Sequence, residues 1–287
     1  MKVRKAVFPA AGWGTRFLPA TKAVPKEMIP LVDKPTIQYG VEEAVAAGLS
    51  QMIVITAGGK KTIEDHFDRS FELESVLAKG NKTELLAAVR AIPALASVAY
   101  IRQGEQLGLG HAIGVARELV GNEPFAVILS DDIIDHPVGC LAQMLRVYER
   151  YGASVLAVER VPDDLVSAYG IIRGQQVDDR VHRVDDLVEK PPLAEAPSNL
   201  GIVGRYLLTP EIFDCIARTK PGRGGEIQIT DALRLLRQQQ EIYALEFEGT
   251  RYDTGNPLGF LKATVDQALR RPDLAEDFRV YLRTLQL

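Results

Sequence analysis

Residues 3–16 of the chain read Val3-Arg4-Lys5-Ala6-Val7-Phe8-Pro9-Ala10-Ala11-Gly12-Trp13-Gly14-Thr15-Arg16. The stretch from Val3 to Pro9 is short, apolar and β-prone. Ala10-Ala11-Gly12 ends it, which reads as a strand delivering the chain into a loop. Glycines directly after a strand let backbone N–H groups come close to phosphate oxygens. Arg16, and Lys26 in the following Pro25-Lys26-Glu27-Met28, add full positive charges against a triphosphate. Taken alone, a Gly-x-Gly is more often a tight turn with solvated cations. Two better-known phosphate loops are excluded. Phe17 stands where a dinucleotide fingerprint needs its third glycine, and Gly59-Lys60 lacks both the upstream glycine and the following Ser/Thr of a Walker loop.

Outward from this strand, apolar residues at helix-like spacing (Ile37, Val41, Ala44, Val45) predict a helix over Thr36–Gly48, stopped by its glycine. Gln51–Thr56 is a buried-strand candidate. A helix is expected from Thr62 to about Gly80, a strand over Val98–Arg102, a helix over His111–Leu119 and a fully apolar strand over Phe125–Leu129. Strands apolar on both faces, alternating with helices, imply a parallel sheet covered on both sides. Such sheets bind ligands at the carboxyl ends of their strands. The loops after Pro9, Arg102 and Leu129 are therefore expected to open onto one edge. In the second half, Ser154–Val161, Gly170–Arg173, Val181–Val188 and Gly201–Leu208 read as strands, and Pro210–Ala217 and Thr230–Gln240 as helices. Pro257–Leu287 reads as two helices split near Pro272. No low-complexity linker or repeat interrupts the chain, so one compact domain is expected.

Composition bounds the function. Apolar residues make up 46% of the 287 and charged residues 25%, enough for a sizeable core. A net charge of −4 leaves no basic stripe for a nucleic-acid backbone, so an anionic substrate must be met by a few locally placed cations. No apolar run approaches a membrane span, and no membrane partner is expected. Cys140 and Cys215 match no metal or redox spacing, and a cytoplasmic, reduced enzyme is the default. The histidines at 66, 111, 136 and 182 form no ligand spacing and read as structural or exposed. Trp13 reads equally as a cover over a nucleotide or as a hydrophobic anchor.

The segment from Phe8 to Pro30 resembles the signature of sugar-1-phosphate nucleotidyltransferases, and in its fuller form that of the bacterial UTP–glucose-1-phosphate uridylyltransferases. Further matches follow in the family's order: Gln103 with Gly108-Leu109-Gly110-His111-Ala112, Ser130-Asp131-Asp132, Tyr169-Gly170, Val188-Glu189-Lys190-Pro191, Asn199 to Tyr206, Gly225 to Asp231, and Tyr252-Asp253-Thr254-Gly255. The resemblance spans roughly residues 5–270.

It implies an α/β fold with a Rossmann-like, mixed but mainly parallel sheet flanked by helices, and with C-terminal helices. It divides the single domain, 1–287, into a nucleotide-binding half (about 1–150), a sugar-binding half (151–256) and C-terminal helices (257–287) suited to oligomer contacts. Relatives of this kind are often homodimers or homotetramers. The implied reaction joins UTP and glucose 1-phosphate into UDP-glucose and pyrophosphate.

The same resemblance assigns sites. Ala11, Gly12, Gly14, Thr15, Glu27, Gln103 and Gly108 are expected to bind the nucleotide. The side-chain amide of Gln103 offers a donor and an acceptor to the imide edge of uracil. Arg16, Lys26 and Lys190 are expected to be catalytic. An isolated Asp-Asp after a strand is as readily a helix cap or turn. The resemblance makes Asp131 the ligand of Mg²⁺, with Asp253 as its partner carboxylate, a donor set that suits this ion. Many relatives have proline where Ser130 stands. Glu189 can accept from two vicinal sugar hydroxyls while Lys190 holds the sugar phosphate, provided the strand ends or bulges there, since neighbouring strand residues face opposite ways. Gly170, Ile202, Gly204 and Thr230 are sugar-side candidates. Three alternatives stay open: dTTP or another hexose 1-phosphate as substrate, a metal-dependent glycosyltransferase consuming UDP-sugar, and a nucleotide-sugar-binding regulator without catalysis.

Overall fold

The computed structural model of the chain describes residues 2–285. The opening strand, β1, covers Lys5–Pro9; a small ribbon of β2 (Pro30–Leu31) and β3 (Lys34–Pro35) precedes helix α1, Thr36–Ala46. Strand β4 (Gln51–Thr56) matches its expected bounds. The single helix expected over 62–80 is two, α2 (Lys61–Phe67) and α3 (Phe71–Lys79), and a further helix α4 (Thr83–Ala91) pairs with α3. Strand β5 is Ser97–Arg102, and the next helical span starts early and divides into α5 (Leu109–Val115) and α6 (Arg117–Val120).

Strand β6 (Phe125–Ile128) is followed by a short strand with no counterpart in the sequence reading, β7 (Asp132–Asp135), and by helix α7, Cys140–Tyr151. Then come β8 (Ser154–Arg160), β9 (Gly170–Asp178), β10 (Val181–Glu189), β11 (Leu200–Leu208) and helices α8 (Ile212–Arg218) and α9 (Ile229–Arg237). Two more strands, β12 (Ile242–Glu246) and β13 (Thr250–Asp253), precede the C-terminal helices α10 (Pro257–Arg270) and α11 (Ala275–Thr284), separated around Pro272 as expected. The sequence boundary of that helical pair, at residue 287, lies outside the described residues.

Among the described residues, nine strands form one sheet in the order β5-β4-β1-β6-β11-β8-β12-β10-β9. Strands β11 and β10 run against the other seven. The sheet is thus mixed and mainly parallel. Alternation on β1 explains its burial: Val7 packs with Ile113, Phe125 and Leu233 on one face, and Phe8 with Ile37, Val41 and Met144 on the other. Both faces are dry because helices cover both, which is why the strand reads as continuously apolar.

Two departures from a simple open sheet shape the site. First, a bridge between Gly201 and Ile171 pairs β11 with β9, although three strands separate them in the sheet order. The second half of the sheet therefore closes on itself and brings Gly170 toward Ile202. Second, β7 and β13 pair as an antiparallel ribbon, with Asp132 opposite Asp253. Segments more than a hundred residues apart in the chain thereby converge at the carboxyl end of β6.

Candidate active site

The loop after β1 keeps residues 10–16 at the sheet edge, where Thr15–Phe17 make one turn of 3-10 helix. Its residues 11–15, together with Gln103 and Gly108 from the loop after β5, wall a cavity of about 440 Å³ whose border includes Lys26 and Asp131, while Arg16 borders the neighbouring cavity. Gly108 sits at φ +100°, and a Cβ there would stand 2.7 Å from the Cβ of Glu226. Only glycine allows this approach. The backbone contacts Ile227 N to Leu107 O and Gly110 N to Ile227 O, both 2.8 Å, lock the two segments together.

A second cavity, of about 300 Å³, lies against the first and shares Leu109, Leu129, Asp131 and Glu226 with it. Gly170, Glu189, Lys190, Ile202, Gly204 and Thr230 all border this cavity, so the expected sugar-side set is brought together. Glu189 ends β10, and Lys190 follows at φ +45°, its N–H donating to Tyr169 O at 3.0 Å. That turn satisfies the condition set by strand alternation: two successive side chains reach one cavity, with Lys190 Nζ 3.2 Å from Glu189 Oε1. A left-handed lysine is uncommon, and such strain gathers at functional sites. Thr230 Oγ1 donates to Glu189 Oε2 at 2.6 Å and fixes that carboxylate.

Asp131 stands where the two cavities meet. Its backbone carbonyl accepts from Thr254 N at 2.7 Å and from Thr254 Oγ1 at 2.8 Å. Asp131 Oδ2 and Asp253 Oδ1 lie 2.9 and 3.0 Å from the point a Cβ on Gly255 would occupy, so the two carboxylates border one small space. Arg16 reaches the same segment, donating from Nη1 to Gly255 O at 3.3 Å. Among the described residues no group of three or more His, Cys, Asp or Glu gathers for a metal. What converges is a carboxylate pair, a set that fits a hard ion needing one or two carboxylates plus phosphate oxygens and water.

Lys26 Nζ is 2.5 Å from Asp131 Oδ2. Burial works against both charges, but each outweighs that cost for the other. The Lys26 pKa stays above its ordinary value, helped also by Glu27, and that of Asp131 stays below its own.

Several expectations need correction. Glu27 does not border either cavity. It is 1% exposed, and its Oε2 accepts from Lys60 Nζ at 2.8 Å, so it lies behind Lys26. Burial pushes the Glu27 carboxyl up and the Lys60 ammonium down, and Glu27 Oε1 is buried with no hydrogen-bond partner. Gln103 borders the first cavity, but its Nε2 is already turned to Gly108 O (3.3 Å) and His111 Nδ1 (2.9 Å), leaving Oε1 as the half offered outward. Trp13 is 71% exposed beside the first cavity, which rules out the buried-anchor reading.

Asp132 is committed to the protein. It accepts from Gly204 N at 2.7 Å on one oxygen and from Arg251 Nε at 2.7 Å on the other, with Arg251 Nη2 2.6 Å away as an ion pair. Any Cβ on Gly204 would lie 2.6 Å from Asp132 Oδ2, so this glycine is needed for the carboxylate's place.

The sequence reading missed Lys60, Arg205 and Arg251. Lys60 follows a strand and two glycines, a signal set aside because it fits no Walker loop. Arg205 is 1% exposed and joins Glu43 (2.8 Å) to Leu129 O (3.0 Å). Its partners are far away in sequence, and nothing local marks it.

Comparison with known proteins places this geometry. A family model described as nucleotidyl transferase matches residues 5–269. The chain is 49% identical over 286 residues to the UTP–glucose-1-phosphate uridylyltransferase of Staphylococcus epidermidis, covering 100% of this chain and 99% of that protein. It is 49% identical over 284 residues to the enzyme of the same name from Staphylococcus haemolyticus, covering 99% of each. Among solved structures it is similar to a UDP-glucose pyrophosphorylase complexed with UDP-glucose, at 46% identity and a TM-score of 0.86, over 94% of this chain and 100% of that one. It is also similar to the UTP-bound enzyme from Acinetobacter baumannii, at 41% identity and a TM-score of 0.93, over 99% of this chain and 100% of that one.

Proposed function

The chain belongs to the nucleotidyl transferase family, and from that premise we propose how its own side chains carry out the reaction named in its relatives. The chain transfers the uridylyl group of UTP to glucose 1-phosphate, giving UDP-glucose and pyrophosphate. The observation that carries the site-level reading is the shared border at Asp131 between a nucleoside-sized cavity and a sugar-sized one.

In this reading uridine enters the first cavity. Gln103 Oε1 accepts the imide N–H, and backbone groups of Ala11, Gly12 and Gly108 serve the uracil carbonyls. The Gly14-Thr15 turn and Arg16 face the triphosphate. Glucose 1-phosphate enters the second cavity, where Glu189, fixed by Thr230, accepts from vicinal hydroxyls. Gly170, Ile202 and Gly204 wall that cavity, and Lys190 holds the sugar phosphate.

A phosphate oxygen of glucose 1-phosphate then attacks the α-phosphorus in line. The bond from α-phosphorus to the bridging oxygen breaks, and its electron pair leaves on pyrophosphate. The nucleophile is already an anion at neutral pH, so no base is required. Acceleration rests on positioning and on charge neutralisation by Arg16, Lys26 and Lys190. Asp131 and Asp253 would hold Mg²⁺, which when bound neutralises charge on the phosphate oxygens.

No helix among the described residues is long and apolar enough to cross a membrane, and both cysteines are free and buried, as a cytoplasmic setting suits. The C-terminal helices expose Leu258, Leu261, Val280 and Tyr281, the face we assign to self-association as a homodimer or homotetramer. Sedimentation velocity tests that assignment.

Pyrophosphate release tests the substrate reading, with UTP and dTTP each paired with glucose, galactose and mannose 1-phosphates. UTP with glucose 1-phosphate is expected to be fastest. A higher kcat/KM for dTTP or another sugar phosphate overturns the substrate assignment.

A further inference from the structure

The loop carrying Asp131 and the turn carrying Lys190 belong to different halves of the sheet, and one side chain joins them. Arg251, on β13, is nearly buried, and each of its guanidinium nitrogens lies beside a protein acceptor. Nε donates to Asp132 Oδ1 at 2.7 Å, and Nη2 lies 2.6 Å from the same oxygen as an ion pair. Nη1 donates to Glu159 Oε1 at 2.5 Å and to Tyr169 Oη at 3.1 Å. Asp132 is the residue after Asp131. Tyr169 is the residue whose carbonyl accepts the N–H of Lys190. The path from the paired carboxylates to the sugar-side ammonium therefore runs Asp131-Asp132, Arg251, Tyr169, Lys190.

A guanidinium suits this place because its donors are fixed in one plane and reach several acceptors at once, whereas an ammonium is a point charge on a flexible stem. In-line transfer is sensitive to such spacing: a misplacement of about 1 Å can cost roughly 10²-fold. We infer that Arg251 is a positioning residue for uridylyl transfer, setting the separation between the Asp131 carboxylate and the Lys190 ammonium by bridging Asp132 and Tyr169. The inference rests on the roles proposed above for Asp131 and Lys190.

Arg251→Lys keeps a positive charge beside Asp132 and Glu159 but removes the fork. It is expected to lower kcat by about 10²-fold with KM for UTP within about threefold of wild type, because the lost property is geometry and not nucleotide contact. Calorimetry of UDP-glucose binding in EDTA supplies a readout separate from turnover, and affinity there is expected to fall about tenfold as Lys190 loses its placement. Tyr169→Phe removes only the 3.1 Å link and is expected to give a smaller loss with the same split between kcat and KM.

Near-normal kcat in Arg251→Lys would show that charge alone suffices and overturn the inference. So would a loss of kcat that merely tracks a fall in melting temperature while Tyr169→Phe behaves as wild type. Asp131→Asn, run alongside, separates the two levels. If it retains turnover, the underlying site assignment fails. If it loses turnover while Arg251→Lys does not, only the role of Arg251 falls.

Discussion

Lys26 Nζ and Asp131 Oδ2 are 2.5 Å apart, so the cation proposed for the triphosphate and the carboxylate proposed for the metal hold each other. Each must be released to act. Removing the carboxylate charge frees the ammonium for phosphate. Asp131→Asn is therefore expected to bind UTP more tightly than wild type in EDTA, by up to roughly fivefold, the scale of a partly exposed ion pair. It is expected to lose about 10²–10³ in kcat with Mg²⁺ present, the scale set by removal of one transition-state stabilising group. Calorimetry and pyrophosphate release measure the two effects, and unchanged turnover would reject Asp131 as the ligand.

The same pair fixes a pH expectation. The Lys26 pKa is raised above its ordinary 10.5, so its stabilising contribution is present below that value and lost as pH rises through the folded value. The Asp131 pKa is lowered below its ordinary 3.8, so its contribution is present above 3.8 and lost as pH falls through the folded value. Between these limits the pair binds and releases no protons on folding. The difference in melting temperature between wild type and Lys26→Met is expected to stay flat across the neutral range and to shrink only in strong acid or strong alkali. A slope in that difference near neutrality would contradict the ion pair.

Behind Lys26 lies a buried pair of another character. Glu27 and Lys60 are both taken from water, and both pKa values move toward the neutral forms. Breaking such a pair from one side commonly costs about 3–5 kcal/mol, because the remaining charge is stranded. Lys60→Met is expected to lower stability on this scale, and Glu27→Gln with Lys60→Met together to recover most of it. A denaturant-unfolding double-mutant cycle reads the coupling. Additive losses would mean that the two groups do not act as a pair.

On the sugar side, Thr230 holds Glu189 through one 2.6 Å hydrogen bond. A bond to a charged group is worth about 1.5–3 kcal/mol, so Thr230→Val is expected to raise KM for glucose 1-phosphate by roughly tenfold or more. KM for UTP should hardly move. Equal changes in both would place Thr230 in the structure of the whole cleft and not at the sugar.

Much of this was legible along the chain. The strand from Lys5 to Pro9 betrayed itself because both its faces are covered, and Gln51–Thr56 for the same reason. The ribbon of Asp132–Asp135 with Thr250–Asp253 did not. Each member is four residues long and carries charge, and its pairing partner lies more than a hundred residues away. Asp131 and Asp132 are chemically identical neighbours, and only the partners supplied by Gly204 and Arg251 separate a ligand candidate from a structural carboxylate. Glu27 misled for a related reason. Its motif places it beside Lys26, but consecutive residues of a tight 3-10 turn point apart, and Lys60 takes it inward.

The two cavities meet at Asp131, with Leu109, Leu129 and Glu226 on both sides of the join. With the substrates placed as proposed, the new linkage forms across that join, and the finished nucleotide sugar overlaps the footprint of each starting compound. UDP-glucose must then compete against UTP and against glucose 1-phosphate alike. Accumulated product is therefore expected to slow the forward reaction, and initial rates measured with added UDP-glucose against each substrate check this.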